Sequence, residues 1–211
     1  KNPELWVQAA DAGSLLTGND AGTTRITSWI DKSGHNQHFA QGDNSLSRGP
    51  AVQTNQFNGQ AALYFDGIDD RLAVERMIQD DFSISMVVKT TQAAGGTTQW
   101  WAGRALLDAD TPALGRDFGL ALHNGRPIAG AGDTNNGDQS ILSPDSIQNS
   151  ATAQLITFTR ERASGTLNLF VNGALKAKLH NATTESLTAS SLLMLGAVAS
   201  GGGYFQGQIA E

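Results

Sequence analysis

The sequence predicts an all-β domain, built as a two-sheet antiparallel β-sandwich of the jelly-roll type. Short apolar runs alternate with polar residues, which is the period of strands that bury one face. Gly, Ser, Thr, Asn and Asp fill the gaps between these runs, and 24 of the 211 residues are Gly. That composition is typical of many turns. No long stretch has apolar residues at helical spacing, so we expect nearly no helix.

The segment 62–74 predicts a strand, a tight acidic turn and a second strand. Asp66-Gly67 begins the turn, because Gly reaches positive φ without a Cβ clash. Phe65 and Leu72 are typical half-buried strand residues on either side of it. We therefore expect a β-hairpin at this position.

A second hairpin is predicted late in the chain. The run 167–171 alternates apolar and polar residues, Asn172-Gly173 follows it, and a further run covers 174–179. Asn-Gly between two alternating runs is the strongest short-range hairpin signal.

Fifteen short strands are predicted in all, and fifteen in one chain imply two packed sheets. Single helical turns are expected at about 75–81 and 144–148. The predicted strands lie at about 4–9, 26–31, 36–40, 61–66, 71–75, 82–90, 100–107, 117–122, 126–130, 139–142, 153–161, 166–171, 174–179, 191–198 and 203–210.

These patterns, in this order, resemble the laminin-G-like branch of the concanavalin-A-like jelly rolls, as found in large bacterial surface proteins. The stretches 4–13 and 28–34 are similar to the family's opening strand and its tryptophan, aspartate, serine-glycine turn. Asp117–Leu120 and 204–211 are similar to its middle and closing strands. The resemblance implies a jelly-roll fold over nearly the whole chain. In that family the closing strand usually continues beyond the residues that match the end of this sequence.

Composition limits the class of protein. We expect one domain over residues 1–211, excised from a larger multidomain protein, since sandwiches of this size often form single domains. The absence of Cys excludes disulfides and thiolate metal sites. A net charge of -6 argues against nucleic acid as a partner. No apolar run approaches the roughly 20 residues of a membrane span, so we expect no membrane insertion.

Catalytic signatures are missing from the sequence, and we expect no enzymatic activity. A retaining glycosidase needs two carboxylates about 5 Å apart. Asp108 and Asp110 have suitable spacing, but they precede Thr111-Pro112, where a loop begins. Paired acids at such a position are usually solvated. The four His residues form no triad or lyase motif.

Two acidic clusters could supply the oxygen ligands that calcium prefers. The first is Asp66, Asp69 and Asp70 on the predicted hairpin turn, joined by Glu211 if the closing strand runs nearby. The alternative is that these acids cap the turn through Asx hydrogen bonds.

The second cluster is Asp117 with the glycine-rich loop 130–138, which contains Asp133 and Asp138. Its composition, though not its spacing, is that of a calcium loop, and turn capping is again the alternative. Several laminin-G-like domains hold calcium at a rim loop, so the resemblance favours this second cluster.

Aromatic and amide side chains are the candidate carbohydrate contacts. Adjacent strand residues point to opposite faces, so one ring of the pair Trp100-Trp101 is expected to face away from the core. Tyr204, beside three glycines, is a second platform, and Asn135 and Asn136 are candidates for binding sugar hydroxyls. The remaining tryptophans, Trp6 and Trp29, are predicted to lie in the core.

The leading hypothesis is therefore a non-catalytic module that binds carbohydrate with the help of calcium. We expect it in a secreted or cell-surface bacterial protein, as an adhesin-like lectin that recognises a cell-surface glycan. One alternative is a structural spacer or an adhesion module that binds another protein. A second alternative is an accessory domain of a polysaccharide-degrading enzyme.

Overall fold

The computed structural model describes residues 2–42, 45–92, 95, 97–148 and 152–211. Within them the chain forms sixteen strands and three short 3-10 helices. The helices are Ala12–Ser14, Leu46–Arg48 and Trp100–Ala102. The strands are β1 (Leu15–Asp20), β2 (Thr23–Trp29), β3 (Phe39–Ala40), β4 (Ala51–Phe57), β5 (Gln60–Asp66), β6 (Leu72–Glu75), β7 (Phe82–Lys89), β8 (Arg104–Asp108), β9 (Phe118–His123), β10 (Arg126–Ala131), β11 (Gln139–Leu142), β12 (Gln154–Glu161), β13 (Thr166–Val171), β14 (Ala174–Leu179), β15 (Leu192–Leu195) and β16 (Gln206–Ile209).

The strands form an antiparallel jelly-roll sandwich, as predicted. Hydrogen bonds connect them in the order β11-β10-β9-β8-β15-β6-β3-β2-β4-β5-β16-β7-β12-β13-β14, with β1 paired to β2. The two ends of this path face each other, because β10 and β11 contact β13 and β14. The path therefore curls into two layers, and the apolar faces of both layers meet between them.

Buried aromatic rings join the two layers. The ring of Phe82 on β7 lies 4.8 Å from that of Phe118 on β9, and 5.4 Å from that of Phe158 on β12. Trp29 is fully buried, which confirms its predicted place in the core. Burying one such side chain contributes roughly 1.5–3 kcal/mol, so this shared core holds the sandwich closed.

One predicted hairpin is confirmed and the other is wrong. β13 and β14 pair across Asn172-Gly173, which have φ of 52° and 77°, as a two-residue turn with positive φ at both positions requires. Around Asp66-Gly67 the chain does turn between two strands. However, β5 pairs with β4 and β16, whereas β6 pairs with β3 and β15, so the turn carries the chain between separate parts of the sandwich.

Other local predictions also differ from the structure. Residues 4–9 form no strand, and the segments 75–81 and 144–148 form no helical turn. The strands β1 and β4 were not predicted, because Thr, Gly, Asn and Gln weaken their alternation. Trp6 is 38% exposed and lies outside the core, since its indole Nε1 donates to the Glu211 carboxylate on the surface. No helix among the described residues is long and apolar enough to span a bilayer.

Candidate functional site

An acidic cleft of about 450 Å³ lies at one rim of the sandwich. It is formed by the 3-10 helix Trp100–Ala102, the loop between β8 and β9, the loop between β10 and β11, and one residue that precedes the glycine triplet 201–203. Its walls are Trp101, Asp110, Pro112, Ala113, Leu114, Gly115, Asp133, Thr134, Gly137, Asp138 and Ser200. Loops held by a rigid sandwich are the usual position of binding residues.

Asp117 lies immediately beneath this cleft, at the start of β9. Its side chain is 1% exposed, and its Oδ2 accepts a 3.0 Å hydrogen bond from the Thr111 N–H. Its Oδ1 is buried and has no hydrogen-bond partner. A buried carboxylate oxygen without a partner is energetically unfavourable, so this atom is available to a ligand.

Gly132 allows this oxygen and a second carboxylate to approach the backbone of the loop closely. A Cβ placed on Gly132 would lie 2.2 Å from Asp117 Oδ1 and 2.7 Å from Asp138 Oδ1. Two carboxylate oxygens from different loops thus pack against Gly132, at distances that a side chain at this position would prevent. The sequence identified the glycine-rich loop and its acids, but it did not place Asp138 beside Asp117.

The carboxyl groups of Asp117 and its neighbours hold protons more tightly than usual. Burial, and then the nearby Asp110 and Asp138 charges, raise the pKa of Asp117 to about 7. Burial also raises the pKa of Asp110, with a further rise from Asp138, and burial raises the pKa of Asp138. Asp110 lies within hydrogen-bonding reach of the Asp117 carboxyl. Groups of like charge at this distance must share protons or bind a cation.

Asp108 supports the cleft from below. It is 2% exposed, and its Oδ2 accepts from the Asp110 N–H at 3.1 Å and from the Ala199 N–H at 2.8 Å. Burial raises the pKa of Asp108 to about 7. Asp108 and Asp110 are therefore both buried, which corrects the prediction of a solvated pair. The spacing of Asp108 and Asp110 in the sequence drew attention to Asp110 as one of a pair of acids. The sequence analysis did not, however, include Asp110 among the candidate metal ligands.

Asp133 shapes the loop between β10 and β11. Its Oδ1 accepts hydrogen bonds from the backbone N–H groups of Asn135 at 2.9 Å and Asn136 at 2.8 Å. Burial opposes ionisation here, yet these hydrogen bonds lower the pKa of Asp133 overall. Asp133 thus caps the turn, which was the alternative to a ligand role. Asn135 and Asn136 are exposed on the same loop, outside the residues that line the cleft.

The two adjacent tryptophans have opposite environments, although they lie on a 3-10 helix and not on the predicted strand. Trp100 is 1% exposed and packs so closely on Gly130 that a Cβ there would lie 2.1 Å from the ring. Its predicted contact with carbohydrate is wrong, because no face of the ring reaches solvent. Trp101 stands edge-on to Trp100, with ring centroids 5.6 Å apart, and lines the cleft.

Tyr204 does not join this site. It follows the glycine triplet, and its backbone carbonyl accepts a 3.2 Å hydrogen bond from Gln92 Nε2. Its side chain is half-buried and lies outside the residues that line the cleft. Tyr204 therefore stays a separate candidate for sugar contact, outside the acidic cleft.

The first acidic cluster forms as predicted, but both oxygens of Asp70 and one of Asp66 already have partners. Ligand oxygens of Asp66, Asp69 and Asp70 lie within 4.8 Å of one another. Asp70 Oδ1 is 3.1 Å from Arg25, and its Oδ2 accepts from the Asp66 N–H. Asp66 Oδ1 caps the N–H groups of the turn at 2.8 Å and 3.3 Å.

Arg25 and the turn hydrogen bonds thus engage part of this cluster, although burial, and then the nearby Asp66 and Asp69 charges, raise the pKa of Asp70 to about 7. Glu211 does not join the cluster, which corrects that expectation. β16 runs antiparallel to β5, with Gln206 opposite Asp66, and Glu211 lies at the far end of β16, where it binds Trp6.

Solved structures with the same fold include bacterial toxin and sialidase binding domains. The binding domain of Paraclostridial Mosquitocidal Protein 1 has a TM-score of 0.62 and 13% identity, and covers 93% of this chain and 47% of that one. The botulinum neurotoxin serotype D ligand binding domain, in complex with N-acetylneuraminic acid, has a TM-score of 0.55 and 18% identity, over 87% of this chain and 42% of that one. The chain thus spans less than half the length of these toxin domains.

A third structure is the Ruminococcus gnavus IT-sialidase CBM40 bound to alpha2,3 sialyllactose. It has a TM-score of 0.50 and 18% identity, over 63% of this chain and 74% of that one. A comparison with curated proteins finds no match. The sequence profile that matches this chain covers residues 67–211, most of its length, and includes β6 to β16 and every loop of the acidic cleft. The chain belongs to the concanavalin A-like lectin/glucanases superfamily.

Proposed function

We propose that this protein is a non-catalytic carbohydrate-binding module, and that the acidic rim cleft is its binding site. A calcium ion held by Asp110, Asp117 and Asp138 would bind sugar hydroxyls, and Trp101 would stack on the sugar ring. The observation that carries the proposal is the buried, unpartnered Oδ1 of Asp117, which lies against Gly132 together with Oδ1 of Asp138.

The residues fit a calcium ion by charge and by ligand type. Calcium takes six to eight oxygen ligands, mostly from carboxylates, carbonyls and water or substrate hydroxyls. A cation would relieve the repulsion that raises the pKa of Asp117, and it would give Asp117 Oδ1 a partner. Asp133 supports the loop through its hydrogen bonds and is not one of the ligands that we propose.

Trp101 supplies the apolar surface that a sugar needs. Large aromatic side chains offer broad contact area with little loss of conformational freedom. Trp101 forms one wall of the cleft while the acids form another. A sugar ring placed against Trp101 would therefore present hydroxyls toward the cation.

The comparisons support a carbohydrate ligand. Two structures of this fold have N-acetylneuraminic acid or sialyllactose bound. Such sugars carry a carboxylate, which the aspartates of this cleft would repel in the absence of a cation. Binding of an acidic glycan here therefore requires the metal, whereas a neutral glycan has a smaller electrostatic penalty without it.

We further propose that the module belongs to a secreted or surface protein that attaches to glycans, in the manner of an adhesin. Toxin and sialidase binding domains of the same fold support this assignment.

Calcium titration by isothermal calorimetry is the first test. We expect one site in the wild-type protein and at least tenfold weaker binding in Asp117→Asn and Asp138→Asn. The same loss is expected in Gly132→Ala, whose Cβ would displace both carboxylate oxygens without removing a carboxylate. Asp69→Asn is the matched control and should bind as the wild type does. Loss of calcium binding in Asp69→Asn alone would show that the metal binds at Asp66, Asp69 and Asp70, and would overturn the proposed site in the acidic cleft.

A glycan array in millimolar calcium, with an EDTA-treated copy beside it, tests the ligand. We expect hits that disappear in EDTA and in Asp117→Asn. A blank array in both buffers, from protein that still unfolds cooperatively, would reject the carbohydrate function and favour a spacer or protein-binding role.

A further inference from the structure

The segment between β14 and β15 lies against both loops of the acidic cleft. It connects β14, at one end of the strand path, to β15, which pairs with β8. Residues 183–189 of this segment form no strand or helix, and they are not among the residues that line the cleft. Any effect of this segment on a bound ligand must therefore pass through the loops that it contacts.

Glu185 holds the loop between β10 and β11. Its Oε2 accepts a 2.8 Å hydrogen bond from the Thr134 N–H, and its Oε1 accepts one from the Thr134 hydroxyl at 2.5 Å. Thr134 lines the cleft. The Thr183 hydroxyl also donates to the Asp133 carboxylate. The segment thus fixes this loop at two consecutive residues, and one of them is held by both oxygens of a carboxylate.

Ala189 holds the loop between β8 and β9. Its N–H donates to the Arg116 carbonyl at 3.0 Å, and Arg116 directly precedes the proposed ligand Asp117. Arg116 has a φ of 70°, a left-handed conformation that side chains other than Gly, Asn and Asp rarely adopt. A hydrogen bond to the backbone at this position helps to keep Asp117 in place. The same segment therefore contacts both loops that carry the proposed calcium ligands.

A buried arginine anchors the segment itself. Arg160 on β12 is 3% exposed, and its Nη2 donates to the carbonyls of Thr183 and Glu185. Its Nη1 donates to the carbonyls of Gln79 and Asp80 at 3.1 Å and 2.7 Å. Movement of the segment would leave a buried charged group without these partners, which is unfavourable. The contacts to the cleft loops are thus made from a position fixed to the sandwich.

The separation of the two loops decides which cation fits between their carboxylates. The loops already touch, since the Gly132 N–H donates to the Asp117 carbonyl at 2.8 Å, and a Cβ on Gly115 would lie 2.8 Å from the Thr134 backbone. Calcium binds oxygens at about 2.3–2.6 Å, whereas magnesium requires about 2.0–2.1 Å and a nearly ideal octahedron. Loops that are both held by a third segment cannot readily close around the smaller cation.

We propose that residues 183–189 form a clamp that fixes the separation of the two cleft loops, and that Glu185 thereby makes the cleft prefer calcium to magnesium. The inference rests on the proposed function of the cleft as a calcium site. Glu185 is a positioning residue, because it acts through Thr134 and does not line the cleft. Without its carboxylate, the loop between β10 and β11 can move relative to Asp117.

Titrations of calcium and of magnesium by calorimetry test the role of Glu185. In Glu185→Ala we expect calcium affinity to fall by about tenfold, as for other residues that orient metal ligands, and magnesium affinity to change less. Glu185→Gln should restore most of the preference for calcium, because its amide oxygen can still accept from the Thr134 N–H. Glu161→Ala is the matched control, since Glu161 also accepts from a hydroxyl, that of Ser164, away from the cleft.

Hydrogen exchange of the metal-free protein separates the clamp from the calcium site. We expect Glu185→Ala to speed exchange of the Thr134 amide, and also of the Gly132 amide, whose hydrogen bond connects the two loops. The amides of β13 should stay protected, which shows that the variant is folded. Fast exchange at Thr134 with unchanged exchange at Gly132 would overturn the clamp, because the contact between the loops would then not depend on Glu185.

The cation titrations can also overturn the proposal. Equal loss of calcium affinity in Glu185→Gln and Glu185→Ala would show that the charge of Glu185 matters and its position does not. Equal affinity of the wild-type protein for the two cations would reject the preference. A wild-type protein that binds neither cation would overturn the proposed function together with the preference, whereas exchange at Gly132 would still decide whether the clamp exists.

Discussion

Trp101 and Trp100 are adjacent, yet only Trp101 is available to a ligand. The buried ring of Trp100 fixes the 3-10 helix against Gly119 and Gly130, and Trp101 is thereby held against the cleft. We expect Trp101→Ala to weaken glycan binding by about tenfold, or about 1.4 kcal/mol. The fold should be unaffected, because the packed ring is the neighbouring one.

Titration of the best array ligand by calorimetry measures this effect. Trp6→Ala is the control, since Trp6 is also partly exposed but is not among the residues that line the acidic cleft. Equal affinity of Trp101→Ala and wild type would contradict a stacking role for Trp101.

Protonation of Asp117 gives calcium binding a pH dependence. The raised pKa, about 7, means that the folded metal-free protein holds a proton at a pH where an exposed Asp has lost it. That proton must leave before the cation binds, so affinity rises with pH. We expect calcium affinity to fall roughly fivefold between pH 7 and pH 6, with proton release detected by calorimetry in two buffers. A constant affinity from pH 8 to pH 5 would contradict this prediction.

At the scale of elements, the hairpin of β13 and β14 is the structure that the local sequence predicts most clearly. Gly173 has a φ of 77°, and no atom lies within 4 Å of the position that a Cβ would take there. Gly173→Ala would therefore strain the backbone without causing a steric clash. We expect a loss of about 1–2 kcal/mol in the free energy of unfolding, measured in urea. Gly42→Ala is the control, because Gly42 is equally open but lies outside the left-handed region. An equal effect in both variants would contradict the assignment to backbone strain.

Strands with strong alternation could be predicted almost to the residue, as β11, β13 and β14 show. Pairing could not be predicted where a turn does not determine it. Asp66-Gly67 has the composition of a hairpin turn, yet β5 and β6 separate, because β16 takes the place beside β5. That partner lies 140 residues away in sequence, and no local pattern encodes it.

The residues of the candidate site could likewise be predicted from the sequence only in part. The glycine-rich loop and Asp117 could be identified from composition, and so could Trp101. The role of Gly132 and the inclusion of Asp110 depend on how two loops converge at the rim. Asp133 and Asp138 look alike in sequence, but backbone hydrogen bonds make Asp133 a turn cap and leave Asp138 facing Asp117.

At the scale of the molecule, closure of the sandwich depends on one late strand. β16 lies between β5 and β7, and it connects the part of the path that contains β2 to β5 with the part that contains β12 to β14. Such pairing between residues distant in sequence makes folding slow and cooperative. The acidic cleft depends on this closure as well, because Ser200 and Ala199 precede β16.

Removal of β16 should therefore abolish the fold as a whole. In a chain that ends at Gly203, Phe205 and Ile209 leave the core, where both are at most 1% exposed, and β5 and β7 lose their common partner. Each core side chain removed costs about 2–5 kcal/mol, which together approaches the 5–15 kcal/mol of a typical domain. We expect loss of the cooperative transition in urea and of the near-UV circular dichroism. Gln206→Ala, which keeps every backbone hydrogen bond of β16, should retain both. A truncated chain that still unfolds cooperatively and binds calcium would show that the cleft folds without closure of the sandwich.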